Sequence, residues 1–376
     1  MKKNTKVITN TITNTNIRKS YLKKRLETIR NKLRENEIDG ILITKRENYM
    51  YLSGFTGSSA HLIITQDSAE LITDFRYIEQ ASKQALFFNI KKYKGNVATE
   101  INNTLKRNHV GKLGFESLDI NYNKYLDYSE KLEVNELVPL KNIVESMRMI
   151  KDSEELKFIK TAVKIADEAF TNVLPFIKPG ILEIDIAAEI EYFMKKQGAQ
   201  GPSFETIVAS GARASMPHGV ASEKEVKAGD VVTMDYGAIY GGYCSDITRT
   251  VFLGKPDGQM TKIYGIVLRA HKEALKGACT GLKGREIDSI AREIISSAGY
   301  GKNFGHGLGH GVGLEIHEEP RFAPSDETTM ENGMVVTVEP GIYIEGYGGI
   351  RIEDMIVIRD DQPEVLTQAS KELIVL

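Results

Sequence analysis

The sequence predicts an α/β domain followed by an α+β domain that is duplicated within itself, and three observations carry that prediction. From residue 20 to 145 short apolar runs alternate with helical stretches. Further on, Val231-Val-Thr-Met-Asp235-Tyr-Gly is echoed by Val335-Val-Thr-Val-Glu339-Pro-Gly, each followed by a returning strand that carries another acid. Each of these hairpins is preceded by a pair of amphipathic helices.

With 376 residues the chain can bury two cores. A net charge of -2 gives no reason to expect a nucleic-acid or acidic-surface partner. Cys244 and Cys279 lie far apart, which suits a reducing compartment better than a disulfide framework, so a cytoplasmic location is expected. No run approaches the roughly 20 apolar residues of a membrane span.

Residues 1–19 carry Lys2, Lys3, Lys6, Arg18 and Lys19 without an acid. The Thr- and Asn-rich run from Val7 to Ile17 lacks the apolar centre of a secretory signal, so a disordered basic extension is expected there. The first domain is placed at 20–145. Leu22, Leu26, Ile29 and Leu33 keep helical spacing. Strands are expected at Gly40–Thr44, Ala60–Thr65, Ala69–Thr73, Asn89–Tyr93, Lys112–Glu116 and Glu136–Leu140, with a helix near Tyr77–Ala85. No cluster of Cys, His or acid is evident in this domain, which leaves it to shape a cleft or an oligomer contact; His61 and His109 read as ordinary strand or surface residues.

The second domain is placed at 146–376. Asp152 and Glu155 form a capping box before the stripe Leu156, Ile159, Val163, Ala166, Phe170 and Val173. A second helix follows over 183–198, then a strand from Thr206, a tight loop at Met216-Pro-His218-Gly and the first acid hairpin. A turn centred between Tyr240 and Gly241 would set Asp235 opposite Asp246. Like charges facing each other destabilise a ladder, so a cation or a proton must sit between them. Helices over 261–276 and 285–298 lead to the second copy, where Glu339 and Glu353 take the acid positions. Lys227-Ala-Gly-Asp and Met330-Glu-Asn-Gly precede the two copies. Four carboxylates aimed at one point are most simply stabilised by a pair of divalent ions.

Before the second hairpin lies Gly305-His306-Gly-Leu-Gly-His310-Gly-Val-Gly-Leu-Glu-Ile-His317. Its glycines disfavour a helix. As extended chain, His306 and His310 share one side, the all-glycine side admits another backbone, and His317 faces away unless the strand bends. With the four acids alongside, at least one of these imidazoles is expected on a metal.

These motifs resemble those of the proline-specific metallopeptidases, the aminopeptidase P and prolidase group. Asp235, Asp246, His310, Glu339 and Glu353 match the catalytic half of that group. Tyr51-Leu-Ser-Gly-Phe-Thr-Gly-Ser and Thr73-Asp-Phe-Arg-Tyr match its creatinase-type N-terminal domain. The resemblance implies a pita-bread catalytic fold and a homodimer. It implies that Asp235 holds one metal, Asp246 and Glu353 bridge two, and His310 and Glu339 complete the second. Such an oxygen-rich set with one imidazole favours Mn²⁺, with Co²⁺ or Zn²⁺ as substitutes. Two ions would lower the pKa of a shared water enough to supply hydroxide near neutral pH. By the same resemblance Glu339 handles the proton of the attacking water, His317 stabilises the tetrahedral intermediate, His218 contacts substrate and His306 lines the pocket. Arg351 either pairs with Asp235 or is an ordinary cross-strand partner. Tyr343 and Arg249 are either cleft or packing residues.

The expected substrates are peptides with proline at the second position. A general peptidase holds its substrate as a strand, and an Xaa-Pro bond offers no amide hydrogen. The form of Gly54-Phe-Thr-Gly-Ser58 favours an aminopeptidase that releases the first residue from Xaa-Pro-Yaa, with an Xaa-Pro dipeptidase as the alternative. Metal-free hydrolysis in the manner of creatinase leaves the acid repulsion uncompensated. A silent binding protein on the same scaffold would be expected to have lost ligands.

Overall fold

The computed structural model describes residues 19–376. Helix α1 (Lys2–Glu35) is described from Lys19 onward, so the disordered extension expected over residues 1–19 lies, Lys19 apart, outside the described residues. The chain forms two compact units, Met1–Arg148 and Met149–Leu376, dividing close to the boundary expected at 145/146.

In the first unit Leu22, Leu26, Ile29 and Leu33 of α1 are buried as one stripe. The strands are β1 (Gly40–Ile43), β2 (His61–Thr65), β3 (Ala69–Thr73), β4 (Asn89–Lys92), β5 (Lys112–Glu116) and β6 (Glu136–Leu140). They form one mixed sheet in the order β4-β3-β2-β1-β5-β6, with β1 parallel to β5 and antiparallel to β2. Burial of every β1 residue fits its uninterrupted apolar run. Helices α2 (Arg46–Ser53), α3 (Ile78–Gln84), α4 (Val97–Arg107) and α5 (Tyr122–Lys131) connect the strands, and α6 (Glu145–Arg148) follows the last of them. Helix α2 escapes a periodicity reading because it is short and stops at left-handed Gly54 (φ 77°).

The second unit opens with α7 (Ser153–Val173), whose start is the expected capping box: Asp152 accepts from the backbone of Glu154 and Glu155, and Glu155 accepts from that of Asp152. There follow α8 (Glu183–Lys196), β7 (Gly201–Pro202), β8 (Ile207–Ser210), β9 (Val231–Tyr236), β10 (Ala238–Tyr240), β11 (Tyr243–Cys244) and β12 (Ile247–Phe252). The second copy consists of α9 (Gly258–Gly277), α10 (Gly284–Ser297), β13 (Gly309–Gly311), β14 (Glu318–Phe322), β15 (Val335–Val338), β16 (Gly341–Ile344), β17 (Gly348–Arg351), β18 (Asp354–Val357) and β19 (Glu364–Val365). Each helix pair packs on its own strands: Phe170, Ile186 and Ile190 meet Val232, Met234 and Val251 in one core. In the other, Val267, Ile287 and Ala291 meet Val336, Val338 and Ile356. The duplication extends to the backbone, since Gly180 and Gly281, Gly198 and Gly299, and Gly229 and Gly333 all adopt positive φ at corresponding places. Among the described residues no helix is long and apolar enough to cross a membrane.

One expected register is corrected. Asp235 pairs with Thr248, and Asp246 is not opposite it. The turn is made by Gly241 (φ 60°) and Gly242 (φ 87°), with Tyr240 paired to Tyr243, so the ladder is shifted by two residues from the expected one. A two-residue shift preserves the face, and Asp246 remains on the same side as Asp235, diagonally displaced. In the second copy Val338 pairs with Asp354 and Gly341 with Arg351, a common register that sets Glu339 across from Glu353. The direct confrontation expected of the first hairpin occurs in the second.

The glycine-rich stretch is extended only at β13, where its bare side admits other backbone. A Cβ on Gly309 would lie 2.0 Å from the carbonyl oxygen of Thr337, and one on Gly311 2.4 Å from that of Glu319. The pairing of β13 with β14 shifts between His310 and Gly311, and the chain bends beyond it. Gly309→Ala is therefore expected to destabilise the protein by about 1–3 kcal/mol through overpacking, read from its denaturant unfolding midpoint.

Candidate metal centre

The two hairpins are joined through β12 and the β17–β18 strand. Thr250 Oγ1 donates to the carbonyl of Arg351 (2.8 Å), and the Glu353 N–H donates to that of Thr248 (3.1 Å). Thr248 Oγ1 also donates to Glu353 Oε2 (2.7 Å) and accepts from Arg351 Nε (3.0 Å). This seam brings all four acids, Asp235, Asp246, Glu339 and Glu353, to one cavity of about 830 Å³ that His218, His306, His310, His317, Tyr343 and Arg351 also line. That volume suits a small organic ligand.

His310 is the imidazole set among the acids. Its Nε2 lies 3.6 Å from Asp246 Oδ2 and 3.4 Å from Glu339 Oε1. Its Nδ1 is 3.1 Å from the Gly311 carbonyl, which can only accept, so that nitrogen carries the proton and Nε2 presents a lone pair. Burial pushes its pKa down to about 3, keeping the ring neutral. Asp246, His310 and Glu353 each offer a donor atom within 4.8 Å of the others. Thr337 fixes the neighbours, with its Oγ1 donating to Glu339 Oε1 (3.2 Å) and accepting from the His310 N–H (3.0 Å).

Arg351 Nη2 donates to Asp235 Oδ2 at 2.6 Å. Its Nη1 reaches Tyr343 Oη (2.9 Å) and the Pro217 carbonyl (3.2 Å). The Tyr343 hydroxyl lies 2.9 Å from His306 Nε2, while His306 Nδ1 donates to the Gly307 carbonyl (2.7 Å). His306, with a pKa lowered to about 4 by burial, thus accepts from Tyr343 and turns its lone pair away from the acids. His317 stands with its ring 4.4 Å from that of His310, carried there by the bend after β13. His218 is exposed on the loop between β8 and β9. Of the three residues left open from sequence, Arg351 pairs with Asp235, Tyr343 lines the cavity and Arg249 does not. Arg249 is buried and bonds the carbonyls of Thr248, Glu353, Ala369 and Ser370 and the carboxylate of Asp354. Sequence reasoning missed Thr248 and Thr337, whose partners lie across strands, and it missed Phe204, Glu205, Lys302 and Arg321 on the cavity wall.

The donor set fits divalent cations on a direct observation. Asp235 Oδ1, Asp246 Oδ1 and Glu353 Oε1 are buried without a hydrogen-bond partner, a costly state for carboxylate oxygens unless a cation takes them up. Burial, then repulsion from Glu353, Asp235 and Glu339, holds the Asp246 carboxyl well above its usual range. Burial, then Glu339 and Asp235, does the same to Glu353. Glu339 is raised to about 8, chiefly by burial.

Comparison with known proteins places this geometry. The model of metallopeptidase family M24 matches residues 157–360, and that of the creatinase/prolidase N-terminal domain matches 25–150. The chain belongs to metallopeptidase family M24. The M24 chain is 42% identical to a protein named Xaa-Pro dipeptidase from Pyrococcus furiosus, over 94% of this chain and 100% of the relative. A solved Xaa-Pro dipeptidase from Bacillus anthracis superposes with TM-score 0.93 at 47% identity, covering 94% of this chain and 100% of that one. A solved X-Pro aminopeptidase from Thermotoga maritima superposes with TM-score 0.86 at 39% identity, covering 90% and 98%. The M24 family fold, pita-bread with a creatinase-type first domain, is the one the sequence resemblance implied.

The raised carboxyls of this M24 centre make stability depend on pH when metal is withheld. Glu339 has a folded pKa of about 8 against an ordinary 4.5, so the folded state holds its proton more tightly than the unfolded chain does. Stability is full below the ordinary value and falls as pH rises toward 8. With a chelator present, the melting temperature is expected to drop between pH 5 and pH 8, and an excess of Mn²⁺ to abolish that drop. Equal pH profiles with and without metal would show that the acids are not relieved by cations.

Proposed function

We propose that this M24 metallopeptidase hydrolyses Xaa-Pro dipeptides, with Asp235, Asp246, His310, Glu339 and Glu353 holding two divalent ions. The observation that carries the metal assignment is the set of three buried carboxylate oxygens without partners, gathered around one neutral imidazole. The oxygen-rich set favours Mn²⁺. When bound, the ions lower the pKa of water and polarise a carbonyl, the two effects that amide hydrolysis needs.

The chain's own residues supply the rest. Glu339 takes the proton of the attacking water and returns it to the departing proline nitrogen. His317, beside His310 at the cavity, donates a hydrogen bond to the oxygen that gains charge at the attacked carbon. His218 enters from the loop between β8 and β9 to contact the bound peptide. Arg351 neutralises Asp235 and orients its carboxylate, and Tyr343 hands the orientation on to His306.

Choice of the dipeptide over longer peptides reverses the preference drawn from the first domain's motif. Support comes from the relatives named Xaa-Pro dipeptidase at 42% and 47% identity. The cavity wall adds to it: a dipeptide brings a proline carboxylate into the cavity, and Arg321 and Lys302 are cationic side chains there that are not locked onto a metal-centre acid. Arg321 is half-exposed and holds only a loose pair with Glu319 (3.6 Å). The X-Pro aminopeptidase relative at 39% identity keeps release of the first residue from Xaa-Pro-Yaa as the second reading.

Three measurements test these assignments. Turnover of an Xaa-Pro dipeptide is expected to exceed that of its carboxy-extended tripeptide, and Arg321→Ala to raise the dipeptide's KM about tenfold or more. Faster tripeptide cleavage would establish the aminopeptidase instead. Glu353→Gln is expected to abolish turnover while the far-ultraviolet circular dichroism is retained; near-normal turnover would remove Glu353 from the metal centre.

A further inference from the structure

We infer that Glu183, a residue that lines no part of the cavity, is the positioning residue for His218 and thereby for substrate; this rests on the Xaa-Pro reading above. Glu183 begins α8 and is fully buried. A carboxylate is costly at such a place unless its oxygens are filled. They are filled by one loop. Oε1 accepts from the backbone N–H and the hydroxyl of Ser210, both at 2.7 Å, where the loop leaves β8. Oε2 accepts from Ser222 Oγ (2.7 Å), where the loop returns, and from Arg213 Nη1. Arg213 in turn donates from Nη2 to the carbonyl of Val220 (2.8 Å), which ties the two arms together.

Everything from Ser210 to Ser222 thus closes on one carboxylate, and the apex of that segment is Pro217-His218-Gly219. Pro217, His218 and Val220 line the cavity. The far side of the apex is held by the bond from Arg351 Nη1 to the Pro217 carbonyl (3.2 Å). His218 itself is exposed, and among the described residues no hydrogen bond from its own ring fixes it. Its place is set by the backbone beneath it, so the pair of anchors, Glu183 outside and Arg351 inside, decides where its imidazole meets the peptide.

Glu183→Gln keeps the shape and the bonds to Ser210, but it removes the charge that Arg213 answers and puts an amide donor beside a guanidinium or hydroxyl donor. Expected is a loss in kcat/KM for an Xaa-Pro dipeptide of about a hundredfold, as a misplaced contact group produces. Bound metal, measured by elemental analysis, should be the same as in the unmodified protein. His218→Asn should cost a similar factor, and the Glu183→Gln/His218→Asn double variant should fall within about twofold of His218→Asn alone. Arg213→Gln, a more exposed member of the same clamp, should show the same non-additivity and serves if Glu183→Gln fails to fold. Multiplying losses, loss of metal from either clamp variant, or a His218→Asn enzyme of full activity would each overturn the assignment while leaving the Xaa-Pro reading intact. Absence of turnover in the unmodified enzyme would overturn both.

Discussion

Repulsion among four inward-facing carboxylates is the constraint on which the second unit depends. Among the described residues only Asp235 of the four has a cationic partner, Arg351, and three carboxylate oxygens in the set have no donor. In a buried site such charges interact strongly and are poorly hydrated. The protein does not relieve the repulsion with further bases. It keeps His310 neutral and aims its lone pair into the same space, which is how a site meant for cations is arranged.

Duplication explains how the constraint is met without distortion. Each copy has two helices that bury one face of a hairpin and leave the other free. In the first copy a Gly-Gly turn displaces the acids diagonally, while in the second they stand across from each other. A symmetric pair would give two identical acid pairs. The two-residue difference instead lets Thr248 fill the place opposite Asp235 and bond Glu353, so that a hydroxyl of one copy supports an acid of the other.

The groups around the acids are ordered by chains of hydrogen bonds that begin in the scaffold. Arg351 serves Asp235, Thr248, Tyr343 and Pro217 at once, and Tyr343 carries the chain to His306. Arg249, one residue after Thr248, uses its buried guanidinium to bind the Glu353 carbonyl, the Asp354 carboxylate and the carboxy-terminal segment. Precision at the cavity therefore comes from strands and the residues that adjoin them, with the His218 loop, the turn carrying His317 and the stretch before β13 that carries His306 reaching in from outside them.

Family resemblance alone picked His310 from the three histidines of its stretch, whereas by itself the sequence determined the two-unit organisation, the helix stripes, most strands and the four acids that line one cavity. These follow from periodicity and from acids repeated at matching places, both local along the chain. The bare side of the histidine stretch was also legible, because glycines alternate along it, and at Gly309 and Gly311 other backbone occupies the place a Cβ would need. Tertiary structure alone decided the register of the first hairpin, where either of two adjacent turn positions suits Tyr-Gly-Gly and only the left-handed angles of both glycines settle it. It alone decided that Tyr343 belongs to the cavity and Arg249 to the packing, that His317 turns in beside His310, and that Thr248, Thr337 and Arg321 matter. Those outcomes depend on which strand lies across from which, and a pairing between residues a hundred positions apart leaves no trace in the spacing of either one.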